Sequence, residues 1–341
     1  RTGQAQEPAR QPKSSGLSKS LGTWIWQGHR IHVQREGDPA KSTKVLLIHG
    51  FGASSGHWRF NLPALAQYAD VLAIDLLGFG ASDKPRSQLA GETAQPGSIS
   101  YGFALWGQQV ADAAFALLGL GPLGEKGAPN APSAEPPQLH LIGNSIGGMV
   151  ALTAAKRLVE QGFTPAQIVL IDCAQRTLDD KRVQELPALE RLSRPLIKQL
   201  VRQRWVIAPL FQLLAQPGFI RQVLRKAYPS GANLNDELVE LLHRPSTDPG
   251  AKESFRGFVN LFNDALAPEL LAELSVPVRL LWGGADPWED PEEAKRWAET
   301  YPCIQALEIL PGLGHCPHDE APEKVNPILE RWINAPGPPG N

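Results

Sequence analysis

Short apolar runs alternate with helical patterns along most of the chain. Six runs carry apolar side chains at nearly every position, as strands do when both faces of their sheet are covered. These predicted strands cover residues 44–49, 71–75, 139–143, 168–172, 278–282 and 305–310. Because helical patterns separate most of them, they predict an α/β fold with a mostly parallel central sheet and helices on both faces.

Other patterns complete this prediction. Residues 24–34, with a turn at Gly28, predict an antiparallel hairpin at the sheet edge. Helical periodicity predicts helices at about 58–68, 102–118, 145–161, 291–300 and 322–333. Polar, Pro-rich ends predict disordered tails at 1–22 and 335–341, and Gly/Pro-rich insertions at 86–98 and 121–137 predict loops.

One long stretch breaks the alternation. Residues 176–266 contain no convincing strand, only helical patterns interrupted by prolines. We therefore predict a helical cap, or lid, inserted into a hydrolase-like core of residues 23–175 and 267–334. The cap is unusually apolar over 196–214. Packing on the protein body explains such a face most simply, and a lid over a site or a contact with a membrane surface are the alternatives.

Composition narrows the range of partners. The 341 residues carry a formal net charge of -2 with interspersed signs, which argues against nucleic-acid binding. Three scattered cysteines indicate free thiols and a reducing compartment, and no apolar run is long enough to cross a bilayer. We therefore expect a soluble protein. The sequence begins at Arg1, so the removal of an upstream targeting segment stays open.

The segment Gly143-Asn144-Ser145-Ile146-Gly147 places a serine between two glycines, after an apolar run and before a helical pattern. This Gly-x-Ser-x-Gly arrangement is typical of a nucleophile elbow, in which a sharp strand-to-helix turn exposes the serine hydroxyl. A plain glycine-rich turn is the alternative interpretation, because so short a motif also occurs by chance.

A serine nucleophile requires a base and a group that orients the base. Asp286 follows the predicted strand 278–282, and His315 follows the strand 305–310. The order Ser145, Asp286, His315 is the one found in α/β-hydrolases, and the carboxyl ends of parallel strands meet at one edge of a sheet. We predict that these three residues form the catalytic triad.

Other residues compete for two of these roles. Asp172 is the alternative acid and Asp75 a weaker one, although both positions suit hydrogen bonds to loop amides. Of the histidines at 49, 57, 140, 243 and 318, we keep His318 as the second choice for the base.

Backbone amides complete the predicted site. The N–H of Ile146, directly after the nucleophile, and that of Phe51, in the loop after the first central strand, are predicted to form the oxyanion hole. Gly50-Phe51-Gly52 also resembles a dinucleotide-binding turn, but the third glycine, Gly56, comes one residue late. No second Cys/His pair accompanies His315-Cys316-Pro317-His318 at zinc spacing. We predict neither a cofactor nor a metal.

With these motifs in place, the chain resembles the α/β-hydrolase superfamily, and within it the pheophytinase and chlorophyll dephytylase group. The most specific stretch is Gly314-His315-Cys316-Pro317-His318-Asp319-Glu320, joined by Asp286-Pro287-Trp288. The resemblance implies hydrolysis of the phytyl ester of chlorophyll or pheophytin, a phytylated tetrapyrrole as substrate, and a cytoplasmic or plastid-stroma type location with peripheral contact to the photosynthetic (thylakoid) membrane. Trp288, Phe211 and Trp205 are the candidate substrate-binding residues.

Two further functions stay open. The run Gly-Asn-Ser-x-Gly-Gly also resembles hydrolases of carbon–carbon bonds, and a general carboxylesterase fits the same residues. A ligand receptor that keeps the hydrolase fold without turnover belongs to another class. The oligomeric state is left undetermined by the sequence.

Overall fold

The computed structural model describes residues 18–120 and 135–335. Within these two ranges, eight strands form one sheet in the order β1-β2-β4-β3-β5-β6-β7-β8. The strands are β1 Ser18–Trp26, β2 His29–Gly37, β3 Thr43–Ile48, β4 Asp70–Ile74, β5 Gln138–Asn144, β6 Gln167–Ile171, β7 Val278–Gly283 and β8 Ile304–Leu310. The pairs β1–β2 and β2–β4 are antiparallel and all other pairs are parallel, as the apolar runs predicted.

Twelve α-helices are found in the described residues. They are α1 Leu62–Leu65, α2 Phe103–Leu118, α3 Ile146–Glu160, α4 Ala188–Leu200, α5 Arg204–Leu214, α6 Pro217–Ala227, α7 Asp236–His243, α8 Ala251–Val259, α9 Ala267–Glu273, α10 Pro291–Thr300, α11 Pro317–Glu320 and α12 Pro322–Ile333. Short 3₁₀ turns lie at Ser55–Trp58, Asp180–Glu185 and Arg244–Thr247. No helix among the described ranges is long and apolar enough to cross a bilayer.

The sheet is buried on both faces. Side chains alternate along β3, so Leu46 and Ile48 join the cluster that includes α2 and α3, whereas Val45 and Leu47 join the cluster that includes α1 and α12. This two-sided burial is the physical reason why the central strands have no polar face. It also fixes the positions of the strand ends, where the residues of the candidate site are found.

Two local predictions were wrong. The N-terminal tail was expected over residues 1–22, but β1 already begins at Ser18, where its backbone pairs with the end of β2 at Gly37. Pairing with a neighbouring strand supplied the hydrogen bonds that the sequence pattern did not reveal. The single helix expected over 58–68 is a 3₁₀ turn followed by the one-turn α1, because Pro63 fits only the first turn of a helix.

Some predictions concern residues that are only partly described. The tail residues 1–17 and 336–341 and most of the loop predicted at 121–137 lie outside the described ranges. Between β6 and β7 the described chain forms helices and turns without a strand. We keep the name cap for residues 176–266 as our proposed division.

Candidate functional site

Ser145 occupies a strained position between β5 and α3. Its φ of 56° and ψ of -123° lie in a region that non-glycine residues rarely adopt. The flanking glycines serve close packing: a Cβ on Gly143 would lie 2.1 Å from the carbonyl oxygen of Gly147, and one on Gly147 would lie 2.3 Å from that of Ile48. The backbone strain is therefore at Ser145. The two glycines let β5 and α3 approach each other closely enough to keep the serine in this conformation.

Asp286 and His315 meet above the carboxyl ends of β7 and β8. Nδ1 of His315 lies 2.8 Å from Oδ2 of Asp286, whose side chain is fully buried. Burial by itself raises the pKa of Asp286, but the hydrogen bond from His315 and its charge outweigh that effect and hold this pKa below its ordinary value. The ionised carboxylate thus accepts a hydrogen bond from the N–H at Nδ1, and Nε2 is the ring nitrogen left to accept a hydrogen bond from a hydroxyl.

The loop that carries His315 lies against the elbow. Nδ2 of Asn144, the residue before the serine, donates to the backbone oxygen of His315 at 3.0 Å and to that of Ile171 at 3.1 Å. Ser145 and His315 are each 8% exposed. No hydrogen bond joins the Ser145 hydroxyl to the imidazole within the described residues. Such catalytic hydrogen bonds are often long until a substrate is bound.

The predicted oxyanion amides lie beside the same serine. A Cβ on Gly50 would lie 3.1 Å from Cβ of Ser145, so the loop after β3 touches the elbow. Ile146 is the first residue of α3, where a backbone N–H has no acceptor within the helix. In the described part of the chain neither this N–H nor that of Phe51 has a hydrogen-bond partner.

The competing histidines have other partners. Nε2 of His49 accepts from the backbone N–H of Leu76 at 3.0 Å. His318, the second choice for the base, is fully buried against the rings of Trp58 and His57, and burial lowers its pKa well below the ordinary value. The imidazole of His318 is therefore a poor proton acceptor and has no access to a substrate.

The alternative acids bind backbone amides. Asp75 accepts from the N–H groups of Ser55 and Ala81 at 2.6 and 2.8 Å. Asp172 accepts from the N–H of Gly283 at 2.9 Å. Within the described residues, neither of these carboxylates has a hydrogen bond to a histidine, whereas Asp286 does.

The residues directly after His315 were the most specific part of the resemblance, but the sequence did not reveal their role. In the structure they form buried contacts. Glu320 accepts from the N–H of Gly314 at 2.7 Å and from the hydroxyl of Ser230 at 2.6 Å. Asp319 binds the guanidinium of Arg59 and accepts from the hydroxyl of Tyr228 at 2.8 Å. These contacts tie the His315 loop to the cap and to the 3₁₀ turn after β3, which fixes the position of the imidazole.

An apolar cavity of about 270 Å³ lies between the cap and the loop after β3 that carries Phe51. Phe51 and Phe211 both line it and both contact the ring of Phe255, with centroids 6.2 and 5.3 Å apart. Trp205 does not line the cavity and is 72% exposed, because it lies on another face of α5 than Phe211. Its expected role in substrate binding is not supported. Trp288 packs edge-on against His315, with centroids 4.9 Å apart, and does not line this cavity.

Comparison with known proteins shows which proteins the chain is similar to. The chain is 28% identical to the chloroplast pheophytinase of Arabidopsis thaliana over 89% of its own length, and it covers 64% of that relative, less than two thirds. Among solved structures it is similar to the 2-hydroxy-6-oxo-6-phenylhexa-2,4-dienoate hydrolase of Rhodococcus sp. strain RHA1, with a TM-score of 0.64, 18% identity and coverage of 94% of this chain and 100% of that one. A thermophilic esterase from Thermogutta terrifontis gives a TM-score of 0.59, 23% identity and coverage of 94% and 98%.

The solved structures support the fold, and the relative confirms the resemblance to pheophytinase seen in the motifs. A model of the alpha/beta hydrolase family matches residues 45–328. The chain therefore belongs to the alpha/beta hydrolase family.

Proposed function

We propose that the protein is a serine hydrolase that cleaves the phytyl ester of a chlorophyll-type pigment. The observation that carries the catalytic part is the hydrogen bond of 2.8 Å between His315 and Asp286, in a loop bound directly to the elbow of Ser145. The substrate rests on the apolar cavity and on the similarity to pheophytinase. The family relation supports a hydrolase independently of the substrate.

In the proposed reaction Oγ of Ser145 attacks the ester carbonyl while Nε2 of His315 takes its proton. The N–H groups of Phe51 and Ile146 donate to the oxyanion, and Asp286 stabilises the imidazolium. His315 then returns the proton to the departing alcohol, phytol, which leaves an acyl group on Ser145. Water, deprotonated by His315, attacks this ester, and the carboxylic acid is released with the serine restored.

The cavity suits an apolar chain better than an acidic substrate. Among the described residues that line it, Lys84 alone is ionisable, and Nζ of Lys84 already binds Asp248 and the backbone oxygen of Gly80. A small carboxylate, as expected for a carbon–carbon bond hydrolase, would find no free cation there. At about 270 Å³ the cavity lies just below the usual range for small-molecule sites, so in this proposal it binds the phytyl chain and the macrocycle stays outside it.

The test is the release of phytol from chlorophyll and from pheophytin, with Ser145→Ala as the control. We expect multiple turnovers with at least one pigment and a loss of about 10⁶-fold in the variant. Cleavage of small esters without phytol release would reject the pigment and leave a general carboxylesterase. Tight pigment binding without turnover of any ester would favour a receptor.

Two positions on α5 provide a matched test of the cavity. Phe211→Ala removes a ring that lines it, and Trp205→Ala removes an exposed ring from the same helix. Phe211→Ala loses about 1.5 kcal/mol or more of the free energy of apolar burial, so it is expected to raise KM for the phytyl ester about tenfold. The second leaves KM within about twofold. Equal changes in KM in the two variants would show that the cavity does not bind the phytyl chain.

We also propose that the cap contacts the photosynthetic membrane. Leu189, Leu192 and Leu196 follow one another at helical spacing on α4 and are 78, 81 and 62% exposed. Such a face gains free energy at a lipid interface. Leu192→Glu is expected to reduce sedimentation with galactolipid vesicles, whereas Leu21→Glu, at an exposed position on β1, should not. Equal binding by both variants would reject this contact.

A further inference from the structure

Two carboxyl groups lie side by side beneath the proposed triad. Asp172 follows β6 and Asp286 follows the neighbouring β7. The side chain of Asp286 and the whole of Asp172 are fully buried. Both residues bind Gly283 at the end of β7: its N–H donates to Oδ1 of Asp172 at 2.9 Å, and its carbonyl oxygen accepts from the backbone N–H of Asp286 at 3.2 Å. The two carboxyls are therefore neighbours, and their interaction is among the causes that raise the pKa of Asp172 and lower that of Asp286. Two ionised carboxylates in such contact repel strongly in a buried setting, so one of them holds a proton.

The hydrogen-bond donors around the pair show which carboxyl is ionised. Asp286 accepts from Nδ1 of His315 at 2.8 Å and from the backbone N–H of Trp288 at 2.9 Å. Within the described ranges, Asp172 accepts only from the N–H of Gly283, through Oδ1, and its completely buried Oδ2 has no donor. Of two neighbouring carboxyl groups, the one with an oxygen that accepts no hydrogen bond more readily keeps the proton.

We propose that Asp172 is a positioning residue, a neutral carboxylic acid whose Oδ2 hydroxyl donates a hydrogen bond to the Asp286 carboxylate. This inference rests on the proposed triad and adds a fourth member to it. The hydroxyl holds the carboxylate in the orientation that His315 needs and keeps a single negative charge beside the imidazole.

The charged and titratable surroundings agree with this assignment. The groups that face Asp172 are Asp286 and Glu289 from the loop after β7, Cys316 from the loop after β8, and Cys173 beside it in the chain. Burial, followed by the charge of Asp286, raises the pKa of Asp172 well above its ordinary value. Burial also raises the pKa of Glu289, to about 7, so this acid must be controlled in any experiment.

The first experiment compares two substitutions of Asp172 by the rate at which a fluorophosphonate labels Ser145 and by kcat and KM for a short ester. Asp172→Ala removes the donor and is expected to lower the labelling rate and kcat about tenfold or more with little change in KM, as loss of a charge-assisted hydrogen bond does. Asp172→Asn keeps a donor and the acceptor for Gly283, and it should recover kcat to within a few-fold of the unsubstituted protein. Equal losses in both variants would overturn the proposal.

The second experiment does not require the alanine variant to fold. In Asp286→Asn the new amide keeps its oxygen towards His315 only if Asp172 accepts a hydrogen bond from the amide N–H, which Asp172 can do by giving up its proton and Asn at position 172 cannot. Adding Asp172→Asn to this variant should then lower kcat by a factor about ten times larger than the same substitution does in the unsubstituted protein. A residue with a purely structural role does not give such a coupling. If Asp172→Asn lowers kcat by the same factor in Asp286→Asn as in the unsubstituted protein, this result contradicts the proposal.

An infrared measurement reads the proton directly. In a Glu289→Gln background at neutral pH, the carbonyl band of a protonated carboxyl should be present and should disappear on Asp172→Asn. A band that survives this change, or is absent from the start, would overturn the inference even in an active enzyme. If Ser145 is not labelled and no ester is cleaved, the proposed function fails, and the infrared band still decides where the proton is.

Discussion

Mild acid is expected to destabilise this protein through its buried histidines, and His57 is the clearest case. The hydroxyl of Tyr228 donates to Asp319, so Nε2 of His57, 2.7 Å from that hydroxyl, must carry the ring proton. Nδ1 of His57 is buried and has no hydrogen-bond partner in the part of the chain that the structure describes. Protonation would place a charge and an unsatisfied N–H there. Burial therefore lowers the pKa of His57 to about 4.

The sign and size of the effect follow from linkage. The unfolded chain binds the proton near its ordinary pKa of about 6.5, whereas the folded protein binds it only near 4. The stability is therefore fully present above about pH 6.5 and falls as the pH decreases towards 4. At pH 5 the loss from His57 is about 2 kcal/mol. His140, whose pKa burial also lowers to about 4, contributes a similar amount.

The assay is urea unfolding at about pH 7.5 and pH 5. His57→Gln keeps a donor for Tyr228 but does not titrate, so its stability should depend less on pH, by about 2 kcal/mol. His243→Gln, at a partly exposed position of α7, is the matched control and should retain the full dependence. If His57→Gln loses as much stability as the unsubstituted protein between the two pH values, burial of a neutral His57 is not the cause.

Two further outcomes concern stability. Gly143→Ala is expected to destabilise by more than about 3 kcal/mol, because its Cβ would lie 2.1 Å from the backbone oxygen of Gly147, whereas Gly218→Ala, with no atom within 4 Å of the added Cβ, should be close to neutral in thermal unfolding. Asp70→Asn should cost about 3 kcal/mol in urea unfolding, because it leaves the ammonium of the buried Lys44 without its carboxylate at 2.9 Å. If Asp70→Asn leaves the stability unchanged, the backbone oxygen of Pro39, which Nζ of Lys44 already contacts at 2.7 Å, suffices to hold the ammonium.

The alternation of apolar strands and helices determined the fold class, because a strand buried on both faces leaves a continuous apolar run that hardly any other structure produces. The candidates for the elbow, the acid and the base were also visible, since each follows such a run and carboxyl ends of parallel strands share one edge. The order of Ser145, Asp286 and His315 in the chain therefore led to the proposed triad, and the contact of 2.8 Å between His315 and Asp286 supports it.

Tertiary structure decided what depends on neighbours distant in sequence. The N-terminal strand at Ser18 exists because β2 offers it hydrogen bonds, which no local pattern records. Phe211 lines the cavity and Trp205 does not, because the packing of α5 on α8 selects one face of an apolar helix. The partners of Asp172, Asp319 and Glu320 are likewise set by loops that meet only after folding. The pKa of a carboxyl depends on burial and on its nearest charges, and both are properties of the folded chain alone.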